Sequence, residues 1–310
     1  MLSAWARVER WMLRALVRPV FLRGSYADMR RRLVTMPAPL GVRALAARVG
    51  GVPCEWLVPA DAGATILYYL HGGGFVLGGP PLYRRMVGYF AACAGARALV
   101  PDYRLAPEHR FPAALDDCVA GYRGLLARGV APADIVIAGD SAGGALALST
   151  LIVLRDAGDP LPAAAALLSP VTDLSLSGAT MCTRASEEVL LAPELCHRFA
   201  RFYLGDGVDP RTPLASPLFA DLRGLPPLLI HVGTHELLLD DARRFTAAAR
   251  GAAVEVTLVE WDELWHVFQM FVSMPEARRA LAELGGFVRA HARAPAAALD
   301  EAEPAWSLLP

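Results

Sequence analysis

Lysine is absent from this 310-residue chain, and every one of its 30 basic residues is arginine. They are set against 31 acidic residues for a net charge of −1, so no basic excess exists to attract nucleic acid. Paired cysteines are missing too. Cys54, Cys93, Cys118, Cys182 and Cys196 are scattered singly, with an odd total and no C-x-x-C spacing, which excludes a zinc ribbon or a disulfide framework. A metal-free protein of a reducing cytoplasm is the expectation. Charge is sparse at 20%, while 55% of residues are hydrophobic and mean hydropathy is +0.35, a composition that excludes disorder over most of the length.

A long apolar run at the N-terminus is also lacking. Residues 2–23 are interrupted by Arg7, Arg10, Arg14 and Arg18, so the segment reads neither as a signal peptide nor as a membrane span. The arginines recur every three or four residues, and Trp5, Val8, Met12 and Leu16 fall on a different face of the amphipathic helix they define. Trp and Arg together suit a membrane interface. The plainer reading, taken here as the expectation, is that the apolar face covers part of the protein itself.

What is present from residue 44 onward is a regular alternation. Strand-like runs at 44–49 and 52–58 flank Gly50-Gly51 as a hairpin, and further strands are expected at 65–70, 96–101, 134–138, 163–168, 228–232 and 254–260. Helical stretches at 81–94, 112–128, 142–157, 239–251 and 276–292 separate them. Strands alternating with helices imply an α/β fold with a mostly parallel sheet covered on both faces. Residues 171–225 break the rhythm with a helix at 193–204 and many loop residues, and read as an insertion that shapes a pocket. The domain reading is therefore N-terminal helices over 1–43, a catalytic domain over 44–292 carrying that insertion, and a loosely attached Ala/Pro/acid-rich tail over 293–310.

The run Gly139-Asp140-Ser141-Ala142-Gly143 matches Gly-x-Ser-x-Gly, a short pattern that gains weight from its place between a strand and a helix. There a sharp turn exposes the serine, and the glycines avoid collisions between strand and helix backbone. The helix start beyond Ser141 supplies unpaired N–H groups and a partial positive charge. A second glycine run, His71-Gly72-Gly73-Gly74, follows an earlier strand. Acyl hydrolysis passes through an oxyanion that needs fixed N–H donors, and Gly73, Gly74 and Ala142 are the candidates. His71, Gly72 and Asp140 read as residues that shape this loop.

A nucleophilic serine needs a base. His266 follows the strand 254–260 and precedes the last helix, which is the base's place in a Ser–acid–His chain order. His109, His197 and His291 read as surface residues and His231 as a core residue. The orienting acid should follow the strand 228–232, and Glu236 is assigned there. The alternative is Asp240 which, with Asp241, stands where carboxylates also serve as helix caps.

These segments, with Asp102-Tyr103-Arg104-Leu105-Ala106-Pro107-Glu108 and Phe111-Pro112-Ala113-Ala114, resemble the hormone-sensitive-lipase-like (bacterial family IV) carboxylesterases over about residues 45–290. The resemblance implies an α/β-hydrolase fold with an eight-stranded, mostly parallel sheet and a helical cap built from 1–43 and 171–225. It implies hydrolysis of short- to medium-chain esters of small molecules without a cofactor, a buried loop at 102–108 whose charges are not solvated, and a homodimer. Many members carry Asp-Pro-Leu at the acid position, where this chain has Glu236-Leu237-Leu238; a similar subset uses Glu there. Amidase, deacetylase and acyltransferase chemistry use the same triad, and a non-catalytic small-molecule receptor is the rival from outside catalysis.

Overall fold

The computed structural model describes residues 2–293, and the tail expectation lies outside them apart from Arg293. Along the chain come α1 (Ala4–Met12), a π-helical turn (Leu13–Val17), α2 (Arg18–Arg23), α3 (Tyr26–Arg32), β1 (Val42–Val49), β2 (Val52–Pro59), β3 (Ile66–Leu70), α4 (Pro80–Ala94), β4 (Arg97–Pro101), α5 (Ala113–Ala127), β5 (Ile135–Asp140) and α6 (Ala142–Ala157). They continue with β6 (Ala164–Leu168), α7 (Thr180–Thr183), α8 (Pro193–Leu204), β7 (Leu228–Gly233), α9 (Leu239–Gly251), β8 (Val256–Trp261) and α10 (Pro275–His291). The eight strands form one sheet in the order β1-β2-β4-β3-β5-β6-β7-β8. β2 runs antiparallel to both of its neighbours, and β3 to β8 pair in parallel. This is the mostly parallel sheet that the alternation of elements implies, and the eight-stranded α/β-hydrolase arrangement that the resemblance implies.

The central strands explain why their sequences lack a polar face. β3, β5, β6 and β7 are buried at every position, as strands sandwiched between helical layers must be. The two-residue period then sorts side chains between two cores. Ile66, Tyr68 and Leu70 of β3 join one core, which also takes residues of α5, α6, α8 and α9. Leu67 and Tyr69 enter the opposite core, built with α4 and α10. The edge strand β1, by contrast, is largely exposed.

Two expectations change. In the N-terminal helix the buried residues are Ala6 and Leu13, while Trp5, Val8 and Leu16 face outward. Ala6 and Leu13 make the contact, with Met12 partly buried, so most of the expected apolar face covers nothing of the protein. In the 102–108 loop Tyr103 and Ala106 are buried, but Asp102, Arg104 and Glu108 are exposed. Arg104 pairs with Asp117 at 2.8 Å and Glu108 with Arg30 at 2.8 Å, a solvent-side solution that avoids desolvating the charges.

The N-terminal helices are fastened to the 171–225 insertion. Arg14 and Arg18 donate to the carbonyls of Ser186 and Ala185, and Arg198 donates to the Phe21 carbonyl at 2.7 Å. Among the described residues no helix is long and apolar enough to cross a membrane.

Candidate active site

Ser141 stands between β5 and α6 with φ 52° and ψ −120°, a left-handed conformation that a non-glycine residue holds only under constraint. The constraint is visible on both sides. A Cβ on Gly143 would run into the carbonyl oxygens of Leu70 and His71, and one on Gly139 into the Gly143 carbonyl. The turn thus closes only with glycine at 139 and 143. Ala142 is the first residue of α6, so its N–H has no acceptor within the helix.

The glycine loop lies beside it. Gly73 and Gly74 have φ of 112° and 63°, and both line the same cavity as Ser141. The N–H groups of Val76 and Leu77 both donate to the Gly73 carbonyl, which turns the loop back on itself. Asp140 joins the two motifs: Oδ1 accepts from the Gly72 N–H at 2.9 Å and from the Tyr69 hydroxyl at 2.8 Å, while Oδ2 accepts from Tyr83 at 3.2 Å. Burial pushes the Asp140 carboxyl up to about 6 despite these donors. His71 stacks on Tyr103 with ring centroids 4.2 Å apart, and the Tyr103 hydroxyl donates to the His71 carbonyl at 2.6 Å. Burial holds the His71 imidazole down at about 4. An imidazole kept neutral and stacked in place supports the loop.

His266, in the loop after β8, brings Nε2 to 2.9 Å from Ser141 Oγ. Glu236, three residues past β7, is fully buried and places Oε2 3.8 Å from His266 Nδ1. At that separation the carboxylate acts on the ring through charge, in a setting where water screens little. Burial alone would lower the His266 imidazole. The carboxylates of Glu236, Glu188 and Asp140 outweigh it and hold the ring above its usual value. Asp240 is elsewhere: its Oδ2 accepts from the Thr180 N–H and its own N–H donates to Thr180 Oγ1, both at 3.1 Å. It caps α9. His231 is a core residue bonded by Trp261 Nε1 at 3.1 Å, and His109 and His197 are exposed.

Two residues here escaped the reading of the sequence. Ser169, directly after β6, donates from Oγ to Glu236 Oε2 at 2.8 Å and accepts from the Val267 N–H at 3.2 Å, so it joins the acid to the histidine loop. Its signal was positional: residues at the carboxyl ends of parallel strands line the crevice of such sheets. Glu188, from the insertion, is fully buried. One of its oxygens accepts from the N–H groups of Val189, Leu190 and Leu191, the other from the His266 N–H at 3.3 Å. Burial pushes its carboxyl up. No motif marks it.

Ser141 and His266 open into a cavity of about 160 Å³. Its other walls are apolar: Phe21 and Leu33 from the N-terminal segment, Leu174, Leu190, Leu195 and Phe199 from the insertion, and Leu238 before α9. Among the described residues no group of His, Cys, Asp and Glu is arranged to hold a metal ion.

A family profile described as alpha/beta hydrolase fold matches residues 67–270. A solved structure described as an esterase from the bacterial hormone-sensitive lipase family superposes with a TM-score of 0.90 at 42% identity, covering 94% of this chain and all of that one. The chain belongs to the hormone-sensitive-lipase-like α/β hydrolases. Among curated relatives of this α/β hydrolase, an acetyl-hydrolase of Streptomyces hygroscopicus is 48% identical over 242 residues, 78% of this chain and 81% of its own. An esterase of Acinetobacter venetianus is 37% identical over 241 residues, 77% of this chain and 80% of its own.

Proposed function

We propose that this ester hydrolase is a serine carboxylesterase acting on short- to medium-chain acyl esters through a covalent acyl-enzyme. The observation that carries the reading is the 2.9 Å contact between His266 Nε2 and Ser141 Oγ at the floor of an apolar cavity. His266 takes the Ser141 proton as Oγ attacks the ester carbonyl carbon. The negative charge that develops on the carbonyl oxygen is met by the N–H groups of Gly73, Gly74 and Ala142. Collapse expels the alkoxide, which His266 protonates, leaving the acyl group on Ser141. Water, deprotonated by His266, then attacks the acyl carbon, and the acid departs as Oγ recovers the proton. Glu236 stabilises the imidazolium in both halves of the cycle.

The walls supplied by residues 1–43 and 171–225 are read as the cap that selects the acyl group. Their leucines and phenylalanines favour a short hydrocarbon, in keeping with the relative named acetyl-hydrolase. Turnover of a panel of p-nitrophenyl esters, matched anilides and lactones tests the assignment. Ester turnover with acetate to hexanoate groups is expected to exceed anilide turnover by more than about 10²-fold, since the amine is the poorer leaving group. Equal turnover of anilides would replace the reading with an amidase.

A further inference from the structure

We infer that the outer face of α1 and the π-helical turn docks on the surface of an anionic lipid bilayer. Trp5, Val8, Trp11 and Leu16 are each at least half exposed, at 60%, 50%, 65% and 60%. At 100° per residue Trp5, Val8 and Trp11 share one side of α1, opposite to the buried Ala6, and Leu16 is exposed in the π-helical turn that follows, where Leu13 is buried. Soluble surfaces rarely present two tryptophans on one helical stripe without an apolar partner. Glu9 turns inward, where its carboxylate accepts from Ser273 Oγ at 3.2 Å. Within the helix the exposed stripe is therefore flanked by arginine alone, and Glu263 is the acid of the neighbouring loop that lines a groove with Arg7, Arg10, Trp11 and Arg14.

Charge selects the partner. Residues 1–32 hold eight of the 30 basic residues and two of the 31 acidic ones, a net +6 against −7 for the rest of the chain. Arg14 and Arg18 donate to backbone carbonyls, which orient them without cancelling their charge. A second copy of the same face would bring like charges together. A bilayer with anionic headgroups offers the complement, with the tryptophan rings at the headgroup boundary and the guanidinium groups on the phosphates. The position also has a use. The chain running on from this helix supplies Phe21 and Leu33 to the cavity of Ser141, so docking sets the cavity wall next to the lipid. The inference concerns where the protein sits and holds whichever acyl bond it cleaves.

Flotation with vesicles of phosphatidylcholine and phosphatidylglycerol in equal parts tests it on the full chain, with the double variant Trp5→Ser/Trp11→Ser and the charge variant Arg7→Gln/Arg10→Gln alongside. The wild type is expected to float with these vesicles. It should bind pure phosphatidylcholine about tenfold less, and lose binding in about 1 M salt, where charges are screened beyond about 3 Å. Each variant should bind the mixed vesicles about tenfold less while hydrolysing soluble p-nitrophenyl butyrate at the wild-type rate, which shows it is folded. Absence of flotation, or flotation of both variants equal to wild type, would overturn the inference. Sedimentation that shows a dimer abolished by Trp5→Ser/Trp11→Ser, with no flotation, would overturn it in favour of a second copy.

Discussion

The two sides of the cavity are built on opposite principles. The side at the carboxyl ends of the strands is polar, buried and interlocked: Ser141, Ser169, Glu236 and His266 follow β5, β6, β7 and β8 in turn, tied by hydrogen bonds or charge at 2.8 to 3.8 Å. The side supplied by the N-terminal segment and the insertion meets the same space with Phe21, Leu33, Leu195 and Phe199, which pack without direction. Chemistry needs fixed angles and a dry electrostatic setting, and the sheet supplies both. Selection of an apolar group needs shape alone, which helices can vary without disturbing the sheet. Glu188 crosses from one side to the other, reaching from the insertion to the His266 backbone.

That contrast predicts large losses of turnover on the sheet side and changes of preference on the other. Ser141→Ala should lower kcat for p-nitrophenyl butyrate by about 10⁵-fold or more, and substantial residual turnover would place the nucleophile elsewhere. Glu236→Ala should cost about 10³ to 10⁴-fold in kcat while Asp240→Ala stays near wild type. The reverse order would move the acid to α9. Glu188→Gln, the bridging case, should cost about tenfold and also shift the pH profile. The base must be neutral to act, so kcat/KM should rise with pH through a midpoint above the ordinary 6.5 of a histidine. Removing the negative charge of Glu188 destabilises the imidazolium, so that midpoint should move to lower pH; an unmoved midpoint would make Glu188 a packing residue only. On the apolar side, Phe199→Ala should leave kcat for the acetate ester close to wild type. It should raise the preference for hexanoate over acetate by about tenfold, as room opens for extra methylenes.

The sequence was most readable where backbone constraints are severe. Gly139 and Gly143 are dictated by carbonyl oxygens that leave no space for a Cβ, so the pattern around Ser141 had a physical reason that a reader could supply in advance. The strands β3 to β8 fell within two residues of expectation, and in β3, β5, β6 and β7 the reason is burial on both faces, which keeps them almost wholly apolar. Reading failed where the outcome depends on what lies opposite. Trp5 and Ala6 are neighbours on one helix, and nothing local says that the alanine is the one that packs. Glu188 looks like any acidic residue of a loop until the His266 backbone is folded against it. The 102–108 loop shows the same gap: its aromatic residue goes inside, and ion pairs available only after folding keep its charges outside.

The turn at Ser141 divides its own residues into those open to change and those closed to it. At 139 and 143 the space a side chain would occupy is already filled by the oxygens of neighbouring backbone, so descendants of this chain inherit those glycines or lose the turn. At 141 the left-handed backbone is already held by its surroundings, and the side chain projects into open cavity. On the proposed mechanism, a different nucleophile at this one position would inherit the same histidine and the same N–H donors. The fold therefore confines chemical innovation to a single address and leaves the frame around it unaltered.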